Sequence, residues 1–173
     1  MKRDIGGIGN TIGIVILEGL GMGALLMASC ALGIRKGAVN MVHMYHQDVQ
    51  ERCIQNGLVT RDGIKRNSLK MKAICLPCDL IYLLGCVYGL NGARGFLQGF
   101  WQMLVILLIL GQVDCLLIDE WWVGHTNAWT IPGTEDLKPY ITVQDKRKKQ
   151  LARTVGMLIL SAVLSGIMTI FFH

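Results

Sequence analysis

The sequence predicts an all-α integral membrane protein, a four-transmembrane-helix bundle with an interfacial amphipathic helix in its first cytoplasmic loop. Of its 173 residues, 52% are apolar, and the mean hydropathy of +0.44 is too high for an ordinary soluble domain. The apolar residues form four runs, each near the ~20 residues that a helix needs to cross a bilayer. These runs cover about residues 8–34, 73–93, 96–118 and 154–172.

The basic residues are divided unevenly between the two sides of the predicted membrane. Of 17 Lys and Arg residues, eight lie in a loop at about 35–72 and six in a loop at about 119–153, which leaves only Lys2, Arg3 and Arg94. Because cytoplasmic loops carry the excess of Lys and Arg, we predict a multi-pass cell-membrane protein, 1–173 forming one membrane domain. Both long loops are expected in the cytoplasm and both termini outside.

This charge pattern also indicates what the chain binds. Basic residues beside membrane helices are typical of topology signals and of contacts with the anionic headgroups of membrane lipids. The sequence contains no recognisable nucleic-acid module, so we predict no nucleic-acid partner.

The first apolar run carries closely spaced glycines and one carboxylate. Gly9 and Gly13, like Gly19 and Gly23, are four residues apart, a spacing that lets helix backbones approach closely. The close approach is either within the chain or in a homo-oligomer formed through this glycine-rich helix. Glu18 lies near mid-membrane, where a carboxylate is costly unless it is protonated, paired or hydrated. Its role is therefore either proton or cation binding, or that of a neutral acid hydrogen-bonded to a neighbouring helix.

A single glutamate in the first of four helices resembles the small multidrug resistance transporters, whose first helix carries one essential glutamate. The likeness covers Glu18 alone, because this chain is longer and has two large loops. It implies a small proton- or ion-coupled transporter, in which Gln98 or Gln102 lines a polar path with Glu18. Asp79 and Asp114 would then lie at the inner mouth of that path.

The first long loop combines an amphipathic pattern with two histidines. Gly57 is the expected stop of a surface helix, and Asp62-Gly63 predicts a further turn. On that helix His43 and His46 would share a face, and with further ligands they could chelate a divalent metal. The alternative is a pair of interfacial histidines without a metal. The apolar positions of the pattern are Val39, Val42, Met44, Val49 and Ile54.

The stretch 112–139 concentrates ionisable residues at the cytoplasmic end of the third run. We predict catalytic roles for Asp114, Asp119, Glu120 and His125 here, and for Asp79 in the second run. Carboxylates and histidines together suit a metal-dependent or acid–base enzyme acting on a lipid or another amphiphile. His125 would then join His43 and His46 as a metal ligand. The identity of any cofactor stays open beyond a divalent metal.

Helical geometry limits how this stretch can form a site. On a straight helix Asp114 and His125 would lie about 16 Å apart, so His125 can join only if the chain bends at Gly124. Asp114 is expected to need a partner on another helix, near Asp79. The tryptophans at 121, 122 and 129 are typical of membrane interfaces. The remaining alternative is a non-catalytic membrane subunit or scaffold with solvated acids.

Overall fold

The computed structural model describes residues 5–35, 37–140 and 143–171, and these form helices and connecting loops with no strand among them. The topology signals expected at Lys2, Arg3 and Lys36 lie outside the described residues. The helices are α1 (Ile5–Ile34), α2 (Gln47–Gln55), α3 (Arg61–Leu84), α4 (Phe96–Val113) and α5 (Val143–Phe171).

Four of these helices are long and apolar enough to cross a membrane. α3 continues as a π-helical turn over Gly85–Leu90, and α4 continues as a π-helix over Asp114–Trp122 and a last turn over Val123–His125. The predicted all-helical class with four long apolar helices is therefore confirmed.

α3 begins at Arg61, well before the apolar run that starts near residue 73. The cause is an N-cap: the Thr60 hydroxyl oxygen accepts a hydrogen bond from the backbone N–H of Gly63 at 3.1 Å. The turn expected at Asp62-Gly63 is wrong, because both residues lie in the first turn of α3. The first residues of α3, from Arg61 to about residue 72, therefore form a polar helical segment that precedes its apolar part.

α4 is the central helix of the bundle, packed along α1 on one side and α5 on the other. A Cβ atom added to Gly19 would lie 2.8 Å from Ile109, and one added to Gly23 would lie 2.8 Å from Val113. These two glycines therefore serve packing inside the chain. A Cβ atom added to Gly13 would meet no atom of another segment within 4 Å in the described part of the chain, so the homo-oligomer prediction now concerns that part of α1.

The outer faces of the long helices are apolar. Leu17, Ile81, Leu97 and Ile170 are 68%, 72%, 75% and 79% exposed, respectively. Large contiguous apolar surface is rare on soluble monomers, and it is the surface that a helix presents to lipid. The exposed apolar side chains therefore point to the same conclusion as the length and composition of these helices, namely that they are suited to cross a membrane.

The amphipathic segment of the first loop forms two helices where one was expected. A 3₁₀-helix covers Ala38–Met44, Tyr45 and His46 are extended, and α2 follows. The predicted stop at Gly57 is confirmed: Gly57 has φ +70°, and the Leu58 N–H donates to the Cys53 carbonyl at 3.0 Å. That pattern is a Schellman motif, which needs the left-handed conformation that glycine adopts readily.

Residues 38–58 and 127–140, here called the loop layer, pack together beside one end of the bundle. The Tyr45 hydroxyl donates to the Trp129 carbonyl at 2.5 Å, and the Tyr45 ring meets the Tyr140 ring edge-on at 5.2 Å. Burial raises the pKa of the Tyr45 phenol, which keeps this donor protonated. The two long loops are thus joined across 84 positions of sequence.

The tryptophans of the stretch 112–139 lie in different surroundings. Trp129 is 3% exposed in the loop layer, and its ring meets the half-buried Trp122 ring edge-on at 5.5 Å. Trp121 is 57% exposed. The expectation of a shared interfacial role is wrong for Trp129, because packing between the two loops encloses its indole.

Candidate functional site

A π-helix brings two carboxylates of the third apolar run onto one face. In an α-helix, residues five apart point in clearly different directions. In the π-helical segment Asp114–Trp122 the hydrogen bonds join residues five apart, so Asp114 and Asp119 stack on one side. That side faces α5, where Lys149 and Arg153 are four residues apart and share a face.

These four residues, here called the ion-pair cluster, form direct contacts. The Lys149 ammonium lies 2.9 Å from an Asp119 carboxylate oxygen, and one Arg153 nitrogen lies 2.7 Å from an Asp114 oxygen. A second Arg153 nitrogen lies 4.0 Å from Asp119. Arg153 also donates to the Gly111 carbonyl at 3.2 Å. Two acids are thus matched by two cations, which makes the cluster neutral as a whole.

The ion-pair cluster is partly shielded from solvent. The side chains of Asp114 and Arg153 are each 20% exposed, and that of Asp119 is 9% exposed. The Lys149 side chain is half exposed. Removing one partner of a buried ion pair leaves an uncompensated buried charge, and this strongly lowers the stability of the fold. The cluster therefore fixes the end of α4 against α5. Asp114 has the expected partner on another helix, Arg153, but this partner lies on α5, whereas Asp79 lies on α3.

The other predicted catalytic residues do not join the cluster through direct contacts. Glu120 is exposed, and so is His125. The His125 Nδ1 atom lies 3.0 Å from the Glu120 backbone carbonyl of its own helix, so the ring stays beside α4 and does not turn inward. Asp79 is half-buried on α3. The chain was expected to bend at Gly124, but the helix continues through Gly124 and ends at His125.

The two histidines of the first loop point into different cavities. His43 lies in the 3₁₀-helix and lines a cavity between α1 and α3, with its Nε2 atom 3.3 Å from the Met71 sulfur. Burial lowers the pKa of the His43 imidazole, and Lys72 lowers it further. His46 lines a separate cavity beside Pro139. The expected common face is wrong, because the chain is extended between the two helices.

These positions bear directly on the predicted metal ligands. Within residues 5–35, 37–140 and 143–171, no three His, Cys, Asp or Glu side chains come together in a group suited to a metal ion. His43, His46 and His125 are held by separate local contacts. A divalent metal bound by these three residues therefore has no geometric support.

A second polar group lies inside the bundle around Glu18. The Asn91 side-chain amide donates to a Glu18 carboxylate oxygen at 2.9 Å and to the Gln102 side-chain oxygen at 3.0 Å. Glu18 is 8% exposed and Gln102 is 4% exposed. We call Glu18, Asn91 and Gln102 the polar triad. One neutral amide thus holds an acid and a second amide in place.

The other Glu18 oxygen, Oε1, is buried without a hydrogen-bond partner in the described part of the chain. Likewise, the ion pairs of the described residues include none with Glu18. A buried polar atom without a partner normally costs free energy. Among the described residues, Glu18 Oε1 is therefore the one carboxylate oxygen that is enclosed without a hydrogen-bond partner.

The polar triad and the ion-pair cluster lie toward opposite ends of the bundle. Gln102 is six residues into α4, or about 9 Å along the axis, and Glu18 is about 12 Å along α1 from Asn10. Tyr82 covers the triad: its hydroxyl donates to the Glu18 carbonyl at 3.0 Å. Gly21 makes this possible, because a Cβ there would lie 2.5 Å from the Tyr82 hydroxyl.

Sequence reasoning missed three important residues of these two groups. Lys149 and Arg153 were interpreted as topology signals and lipid contacts, although their spacing of four places both on one helical face. Asn91 was hidden in the turn between the second and third runs, because a turn asparagine is ordinarily explained by backbone conformation. No pattern in the sequence indicates that its side chain folds back toward Glu18.

Comparison with known proteins adds no family to this description. No protein-family model, no curated protein and no solved structure matches the chain.

Proposed function

We propose that this chain is a multi-pass membrane protein of the small ion-coupled transporter kind, in which Glu18 is the proton- or cation-binding group. The four long apolar helices and their exposed apolar faces support membrane insertion. The charge bias supports a cytoplasmic position for both long loops. The polar triad then lies toward the outer side and the ion-pair cluster toward the inner side.

The single observation that carries the proposal is the surroundings of the Glu18 carboxylate. One of its oxygens accepts from the neutral Asn91 amide, and the other is enclosed with no hydrogen-bond partner in the described residues. An acid among neutral groups and apolar side chains gains most from taking up a proton or a cation. The amide oxygens of Asn91 and Gln102 are suitable further ligands for a hard cation.

The predicted enzyme has less support from the same structure. Asp114 and Asp119 are held by Arg153 and Lys149, whereas Glu120 and His125 are exposed. A general acid or base must reach its substrate in a defined place, and these groups do not converge. We therefore propose no lipid-modifying reaction.

The proton version of the proposal is tested by infrared difference spectroscopy on purified protein in liposomes, recorded at one pH on exchange of H₂O for D₂O. A protonated carboxylic acid gives a carbonyl stretch that a carboxylate lacks. We expect a band that disappears in Glu18→Gln and stays in Glu120→Gln, since Glu120 is exposed. The cation version predicts that Na⁺ or K⁺ reduces the same band at constant pH.

Identical difference spectra from the wild type and Glu18→Gln, with no effect of either cation, would remove the transporter proposal. The non-catalytic membrane subunit would then be the better interpretation.

Sidedness needs a separate test. Cys53 is fully buried and burial raises the pKa of its thiol, so it is a poor labelling target. Glu51→Cys places a thiol on the exposed face of α2. We expect a membrane-impermeant maleimide to label this variant only after the cells are permeabilised. Labelling of intact cells above the wild-type background would reverse the proposed orientation.

A further inference from the structure

We infer that the cavity between α1, the 3₁₀-helix Ala38–Met44 and α3 binds the phosphate-bearing headgroup of an anionic membrane lipid. The cavity has a volume of about 250 Å³, slightly below the ~300–1,000 Å³ of typical ligand pockets. That size suits a headgroup better than a whole amphiphile. This inference goes beyond the proposed role of Glu18 and does not depend on it.

The polar lining of this cavity consists mainly of hydrogen-bond donors. Lys70 supplies a cation, and Asn40 and Asn67 supply side-chain amides. The Ser29 hydroxyl also lines the cavity, but it already donates to the Leu25 carbonyl at 2.9 Å. The lining contains no carboxylate, whereas two neighbouring cavities include Asp48 and Glu51. Donors with a positive charge and no competing acid are the groups that recognise a phosphate oxygen.

The surrounding segment of α3 strengthens the positive potential. Lys72, two residues beyond Lys70, is close enough to this cavity for its charge to lower the pKa of the His43 imidazole. The imidazole of His43 also lines the cavity, and the lowered pKa of this ring leaves it neutral at neutral pH. The neutral ring therefore adds no positive charge to the cavity lining.

The position of the cavity favours a lipid over a soluble phosphate. Its walls include Gly33, in the last turn of α1, and Cys75, just inside the apolar run of α3. Asn67 and Lys70 precede that apolar run. The cavity thus spans the level at which the helices change from polar to apolar, the depth of lipid headgroups. Met41 and Met71 provide an apolar wall, against which the glycerol part can pack.

The test is native mass spectrometry of the full-length protein with three probes: phosphatidylglycerol, phosphatidylcholine with the same acyl chains, and inorganic phosphate. We expect one retained phosphatidylglycerol and little retained phosphatidylcholine. Lys70→Gln should weaken retention about fivefold, the effect of one charge-assisted contact at a partly exposed position.

Lys65→Gln is the matched control, because Lys65 is an exposed lysine on the same helix that lines a different cavity. It should leave retention unchanged. Asn67→Leu keeps every charge while it removes a donor and fills space, so it should weaken retention as well. Its fold is checked by the thermal midpoint of tryptophan fluorescence.

Two outcomes would overturn the inference. Equal losses in Lys70→Gln and Lys65→Gln, or no loss in a folded Asn67→Leu, would mean that lipid binds through diffuse charge and not in the cavity. Inorganic phosphate that binds lipid-free protein and displaces phosphatidylglycerol, with the same dependence on Lys70, would contradict a lipid ligand.

Discussion

Buried carboxylates have opposite surroundings in the polar triad and in the ion-pair cluster. In the cluster, Asp114 and Asp119 each have a cation within hydrogen-bond distance, at 2.7 and 2.9 Å. In the triad, Glu18 has no ion pair among the described residues: one oxygen accepts from the neutral Asn91 amide, and the other is enclosed without a hydrogen-bond partner there. Each group has a member on the central helix or its π-helical continuation, and these two residues, Gln102 and Asp114, are about 18 Å apart along the axis.

The same chemical group, a carboxylate, is thus expected to stabilise the fold in the ion-pair cluster and to exchange a proton or a cation in the polar triad. A carboxylate with a fixed cation is compensated, so it gains little from a further proton or ion. A carboxylate among amides is uncompensated, so a mobile proton or cation can stabilise it. The ion-pair cluster is therefore expected to be structural, and the polar triad is the proposed place of exchange.

The largest effect is expected from Arg153→Met, which keeps an unbranched apolar stem and removes the cation. Asp114 would lose its partner, and we expect the protein to lose about 2–4 kcal/mol of stability, slightly below the cost for fully buried pairs. The thermal midpoint in detergent, followed by tryptophan fluorescence, measures this loss.

Arg147→Met is the matched control, because Arg147 is exposed on the same helix. Equal midpoints for the two variants would show that the cluster does not stabilise the bundle, and the comparison of the two regions would fail.

A smaller loss is expected from Asn91→Leu, which removes the donor shared by Glu18 and Gln102. Two buried acceptors would then lack partners, at a cost of about 1–3 kcal/mol. The same thermal midpoint reports the effect, with Asn127→Leu as a control at an exposed asparagine. An unchanged midpoint would mean that the triad is hydrated or loosely held.

Glu18→Gln should change stability by less than about 1 kcal/mol, because the glutamine oxygen can still accept from Asn91. This variant separates exchange from folding: we expect a nearly native thermal midpoint together with the loss of the infrared carboxyl band. A large drop in the midpoint would assign Glu18 a structural role instead.

The smallest effect is expected from Arg52→Gln in the loop layer. The Arg52–Asp136 pair has a separation of 3.2 Å, and its side chains are 38% and 60% exposed. Exposed ion pairs contribute about 0–1 kcal/mol, so the thermal midpoint should hardly move. A loss as large as that of Arg153→Met would show that exposure does not explain the difference between the two pairs.

The fold class was predictable because its signal is compositional. A run of about 20 apolar residues has few alternatives to a membrane-length helix, and α1, α3, α4 and α5 all follow from such runs. The stop of α2 at Gly57 was predictable for a local reason, the positive φ that its cap requires.

The side-chain groups were less predictable because they depend on contacts across the sequence. The π-helix that aligns Asp114 with Asp119 has no signature in the hydrophobic pattern. The partner of Asp114 lies 39 positions further on, at Arg153, where the basic residues had a sufficient explanation in topology. Trp129 was expected at an interface, because nothing in the sequence indicates that residues 38–58 and 127–140 pack together.

The most direct measurement of the central claim is labelling of the protein in its membrane with a hydrophobic carbodiimide, followed by peptide mass spectrometry. The reagent modifies protonated acids in apolar surroundings. We predict labelling of Glu18 that falls in the presence of a bound cation, with Asp114 and Asp119 unlabelled in the same sample. Labelling of the cluster acids in preference to Glu18, or none at Glu18 with or without the cation, would contradict the account.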